Sequence, residues 1–154
     1  MDRVFLDANV LFAAAWAPRS RLLRLWDIET AALITSPYAV EEARRNLPRP
    51  AQRGRLNRLL RDVEVVTPPH EPGRSGRLVV RRLRRRPWRT RQADAVELPP
   101  DDRPILQAAV AARATHLLTG NHRDFGAYYW CRVAGVLILP PSEYPPLTSG
   151  PAAT

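Results

Sequence analysis

Short apolar runs alternate along the chain with stretches whose apolar residues recur at helical spacing, the pattern of parallel strands joined by crossover helices. Val4-Phe5-Leu6 reads as a buried strand ending at Asp7, and Ala32-Leu33-Ile34-Thr35 as a second. Val63 to Val66 reads as a third, His116-Leu117-Leu118-Thr119 as a fourth and Val136-Leu137-Ile138-Leu139 as a fifth. Leu22, Leu23, Leu25, Trp26 and Ile28, behind a Ser20 N-cap, predict the first helix. Ser36-Pro37 starts another, with Ser36 capping and Pro37 in the first turn; it carries Glu41 and Glu42 and stops at Pro48. Leu56, Leu59 and Leu60 mark a further helix, and Ile105, Leu106, Ala109 and Val110 one more behind Asp102. Leu78, Val79, Val80 and Leu83 form a thin apolar stripe that predicts a helix ended by Pro87.

The pattern predicts a single-domain α/β/α sandwich whose central parallel sheet has four to five strands in the order 3-2-1-4-5. It spans residues 1–145, with a loose tail rich in Pro, Ser, Gly and Thr over 146–154. A chain of 154 residues with 45% hydrophobic and 25% charged content suits one globular unit. No window is apolar enough to cross a membrane, and Met1-Asp2-Arg3 leads straight into the first strand, so a cytoplasmic protein is expected. Cys131 is the sole cysteine, which excludes a disulfide within the chain and every multi-cysteine zinc site.

Charge changes the picture. The net charge is +9 and all 24 basic residues are arginine, a side chain that grips phosphate bidentately. Nine of them lie between His70 and Gln92 against the single acid Glu71, so this segment carries +8 of the +9. Such clustering reads as a footprint for a polyanion, with Arg81 and Arg85 as candidate contacts, or else as a solvated loop or a docking surface for an acidic partner.

Ligands of an open parallel sheet bind at the carboxyl ends of its strands, where strand order reverses. Asp7 and Asn9 follow the first strand, Asn121 and Asp124 the fourth, while Glu42 and Asp102 sit on neighbouring helices. Converging carboxylates repel one another unless cations neutralise them, and the hard ions Mg²⁺ or Mn²⁺ suit oxygen-only ligands. Each residue also has an ordinary reading: Asp7 as a turn cap, Glu42 as a solvated partner of Arg45, Asp102 as an N-cap with Asp101 as its alternative.

The strings Val4-Phe5-Leu6-Asp7-Ala8-Asn9-Val10-Leu11, Glu42-Ala43-Arg44-Arg45-Asn46-Leu47, Asp102-Arg103-Pro104-Ile105-Leu106 and Leu118-Thr119-Gly120-Asn121 together resemble the PIN domain. The resemblance implies a metal-dependent nuclease, with Asp7, Glu42 and Asp102 as the first three of four acids. It also implies a relation to the toxin ribonucleases of bacterial toxin–antitoxin pairs, with RNA, an antitoxin protein and a second copy of the chain as partners. Where the family often has a fourth aspartate this chain has Asn121, with Asp124 three residues on; either Asp124 serves as ligand or Asn121 supplies a neutral oxygen. Asp7, Asp102 and Asp124 are the expected metal ligands, Asn9 and Asn121 the expected substrate contacts. The substituted fourth position keeps open a catalytically degenerate module that only grips RNA. A haloacid-dehalogenase-type phosphatase needs a second aspartate where Asn9 stands, and fits poorly.

Overall fold

The computed structural model describes residues 1–68, 80–82 and 96–148. Its centre is a seven-stranded sheet. In chain order the strands are β1 (Asp2–Leu6), β2 (Ala31–Thr35), β3 (Glu64–Val65), β4 (Val80–Arg82), β5 (His116–Leu118), β6 (Cys131–Val133) and β7 (Val136–Leu139). Their order across the sheet is β3-β2-β1-β5-β7-β6-β4. The first five of these are the parallel set expected from the sequence, paired in register as Val4 with Leu33, Phe5 with Leu117 and Leu117 with Ile138. Phe5, Leu6, Leu117, Leu118, Ile138 and Leu139 are all fully buried, because crossover helices cover a parallel sheet on both faces and leave no side of these strands for water.

Three elements depart from the sequence reading. The first helix is α1 (Ala8–Trp16), which follows β1 directly, and the Ser20-capped segment Arg21–Asp27 is a 3₁₀ helix. Ala8, Val10, Leu11, Ala14 and Ala15 form the buried face of α1, but Phe12, Ala13 and Trp16 on its outer face are apolar too, so the sequence carries no 3.6-residue signal. The arginine-rich segment does not form a helix at Val80–Arg82: these residues are a strand, antiparallel to β6. The edge of β6 supplies partners for the N–H and C=O groups of this backbone. The third addition is β6 itself. It turns into β7 through Ala134 and Gly135, both at positive φ (48° and 88°), the backbone of a two-residue hairpin whose twist matches the flanking strands.

The remaining helices are α2 (Pro37–Asn46), α3 (Pro50–Leu59), α4 (Arg103–Ala111), α5 (His122–Phe125) and α6 (Pro145–Thr148). Ser36 caps α2 through its hydroxyl, which accepts from Ala39 N–H at 3.3 Å, and Pro37 opens the first turn as its missing N–H allows. Among the described residues, no helix is long and apolar enough to cross a membrane.

Candidate active site

Strand order reverses between β1 and β5, and the carboxyl ends of these two strands hold a dense polar network. Asp7 is the first residue past β1. Its Oδ1 accepts the Ala8 N–H at 2.6 Å, capping α1, while its Oδ2 accepts from the Thr119 hydroxyl at 2.6 Å and from Asn9 Nδ2 at 3.0 Å. The capping and the polar-site readings of Asp7 therefore hold together in one carboxylate. Asp7 is 4% exposed; burial pushes its carboxyl above the usual range, and the hydrogen bonds from Thr119, Ala8 and Asn9 act the other way.

Asn9 is a clamp. Its Nδ2 donates to Asp7, and its Oδ1 accepts the Gly120 N–H at 2.7 Å, joining the start of α1 to the loop after β5. Thr119, fully buried, donates to Asp7 and accepts the Asn121 N–H at 3.1 Å. Sequence reasoning assigned no role to this hydroxyl; a threonine closing an apolar strand beside an aspartate-bearing strand is the signal that marks it. Tyr129, also unassigned, donates to the Thr119 carbonyl at 2.8 Å and packs edge-on against His122.

Asp102 stands at the start of α4 but does not cap it with its side chain. Its backbone is already helical (φ −94°, ψ −20°), whereas an N-cap side chain needs an extended residue to reach back, and the turn begins at Pro99, whose carbonyl accepts from Asp102 and Arg103. The carboxylate faces the loop after β5 instead. There Asn121 Nδ2 donates to Asp102 Oδ1 at 3.2 Å and to Asp124 Oδ2 at 3.0 Å, while its Oδ1 caps α5 by accepting the Asp124 N–H. The Asn121 amide thus bridges two acids. Burial, then the hydrogen bond and charge of Asp124, then the charges of Asp7 and Glu42, push the Asp102 carboxyl up to about 6. Glu42, on α2, is raised by burial first and by the charges of Asp7 and Asp101, with Arg45 opposing. Its neighbour Glu41 is exposed.

Arg81 lies on β4, and β6 and β7 stand between that strand and β5, so at a strand spacing of about 4.8 Å its backbone is roughly 14 Å from β5. Arg85 lies outside the described residues.

Comparison with known families settles the lineage: the model of the PIN domain matches residues 3–123. The chain belongs to the PIN domain family. A search of curated proteins and a search of solved structures each return no match. The matched span contains Asp7, Glu42, Asp102 and Asn121 and ends one residue before Asp124. PIN domains are generally nucleases and typically use divalent metals.

Among the described residues of this PIN domain, no three His, Cys, Asp or Glu side chains stand close enough to form a metal-ligand group. The acids nonetheless converge on one carboxyl: besides burial, Asp124, Asp7 and Glu42 all raise Asp102. Carboxylates that disfavour one another's ionisation are stabilised most by a hard divalent cation, and an all-oxygen donor set fits Mg²⁺ or Mn²⁺.

Proposed function

We propose that this PIN domain is a metal-dependent endoribonuclease and the toxin of a toxin–antitoxin pair. The observation that carries the nuclease reading is the elevation of Asp102 by burial and by Asp124, Asp7 and Glu42 at the strand-order reversal of a nuclease-type fold. Asp7, Asp102 and Asp124 would hold Mg²⁺ or Mn²⁺, which supplies a polarised phosphodiester and an activated water. Thr119 and Asn9 orient the Asp7 carboxylate by donating to its Oδ2, and Asn121 keeps Asp102 and Asp124 side by side. Glu42, raised by burial, would take a proton from the water that attacks phosphorus; the P–O3′ bond breaks and the 3′ oxygen takes up a proton from solvent, leaving a 5′-phosphate and a 3′-hydroxyl. Arg81 and Arg85, in the segment that carries most of the net charge, contact flanking phosphates of the RNA. The toxin role extends the family resemblance, and binding of the protein encoded by the adjacent reading frame tests it.

The nuclease reading is tested by incubating end-labelled RNA with Mn²⁺, Mg²⁺ or EDTA, beside Asp7→Asn and Asp102→Asn variants. Metal-dependent cutting that both variants lose supports it. RNA bound and left intact by the wild type makes the chain a degenerate binding module, the alternative that Asn121 in place of a fourth acid keeps alive.

A further inference from the structure

One face of α1 leads away from the carboxylates. Asn9, Phe12 and Trp16 recur at i, i+3 and i+7 and so share a side of the helix, with Asn9 hydrogen-bonded to Asp7 and Trp16 about 10 Å further along. Phe12 is half-buried against the core, and Trp16, 48% exposed, leans on it with ring centroids 5.1 Å apart and planes at 41°. These rings form one wall of a cavity of about 420 Å³. Glu42 and Asn46 of α2, and Pro48 just beyond it, also line it. The volume lies in the range of small-ligand sites.

We infer that this cavity is a nucleobase subsite, which takes an unpaired base of single-stranded RNA beside the phosphate at Asp7 by stacking it on Trp16. The inference rests on the ribonuclease reading above and adds to it a place for one base of the substrate and the residue that holds it. An aromatic ring open to solvent offers a π-face that any base can cover, and the Asn46 carboxamide, one N–H of which donates to the Glu42 carbonyl at 3.0 Å, offers its oxygen and its second N–H to a base edge. Glu42 repels a phosphate from the cavity itself, so the occupant presents a neutral, flat group there and keeps its charge outside. A base inside a duplex has both faces covered by its neighbours and cannot enter, which restricts the site to single strands. The indole of Trp16 lies outside the buried core, and the Trp16 interactions with Gln52 and Arg55 use its backbone carbonyl, so a side-chain change leaves them intact.

The test is fluorescence anisotropy of the full chain with a labelled single-stranded oligoribonucleotide, with Ca²⁺ as the only divalent ion. An abasic oligomer of the same length is run beside it. Trp16→Ala is expected to weaken RNA binding about tenfold, Trp16→Phe to stay within about threefold of wild type, and all three proteins to bind the abasic oligomer alike. Unchanged RNA affinity in Trp16→Ala overturns the subsite, as does an equal loss on both oligomers. A wild-type dimer in ultracentrifugation that Trp16→Ala dissociates, with RNA affinity unaltered, also overturns it and assigns the face to a protein contact. Trp16-dependent binding of an RNA left uncut in Mg²⁺ and Mn²⁺ upholds the subsite and ends the nuclease reading. Cutting abolished by Asp7→Asn but indifferent to Trp16 does the reverse.

Discussion

The side-chain oxygen of Asn9 accepts a hydrogen bond from the backbone N–H of Gly120 at 2.7 Å, tying the first turn of α1 to the loop that follows β5. A Cβ at position 120 would meet that same oxygen at 3.2 Å. In Gly120→Ala the Asn9 side chain must therefore shift by a few tenths of an ångström, and its hold on Asp7 shifts with it. We expect a stability loss of about 1 kcal/mol or less and a fall in RNA cleavage of at least about tenfold. Chemical denaturation and cleavage rates check this, and full activity in the variant would show that the clamp does not position Asp7.

Thr119→Val keeps the volume of a fully buried side chain and removes the donor to Asp7. Loss of a hydrogen bond to a charged group costs about 2 kcal/mol. Because that bond lowers the Asp7 carboxyl, its removal moves the acid limb of the pH–rate profile to higher pH. An acid limb that stays in place would contradict the assignment of Asp7 as an ionised participant.

Asp102→Asn is expected to abolish cutting while stabilising the metal-free protein. The folded-state carboxyl is pushed up to about 6 from its ordinary value of 3.8, so between these values the folded chain holds more protons than the unfolded one. Stability from this group is therefore present at low pH and lost as pH rises through about 6. The advantage of the asparagine variant in EDTA should grow from pH 4 to 6 and level off above, at roughly 1 kcal/mol once solvent screening is allowed for. Thermal melts across that range decide it, and an advantage independent of pH would refute the assignment.

Mg²⁺ should oppose that loss. Its stabilisation of the wild type is predicted to be larger at pH 7.5 than at pH 5, where protons compete for Asp102. Equal shifts in melting temperature at both values would mean that the ion does not bind at this carboxylate.

Asn121→Asp converts an amide that donates to Asp102 and Asp124 into a third acid beside them. In EDTA the variant should melt below the wild type, by about 1 to 3 kcal/mol, since a donor is lost and a charge gained. Added Mg²⁺ should raise its melting temperature by more than it raises that of the wild type. A variant as stable as the wild type in EDTA would show that the amide bridge contributes little.

How far the sequence could be read follows from what covers each element. β1, β2, β5 and β7 announce themselves as uninterrupted apolar runs because they sit inside the sheet with helices on both faces. α1 is just as apolar, and since its outer face carries Phe12, Ala13 and Trp16 in place of charged residues, its period is erased. Strand β4 lies at the sheet edge in a segment whose charge and apolar stripe point to a helix, and only the vacant edge of β6 makes it extended. Asp102 has the sequence context of an N-cap, yet the turn from Pro99 starts the helix early and turns its carboxylate towards Asn121.

The sequence by itself determined the parallel core, its strand order, the family and the acids that crowd the strand ends, because burial and charge are written in residue type and spacing. Only the tertiary structure decided how those acids are held. The Thr119 hydroxyl on Asp7, the Asn9 link to Gly120 and the Asn121 bridge from Asp102 to Asp124 join residues up to 112 positions apart. Hydrogen-bond partnership at that range depends on where the chain brings atoms within 3 Å or so, which no local pattern specifies.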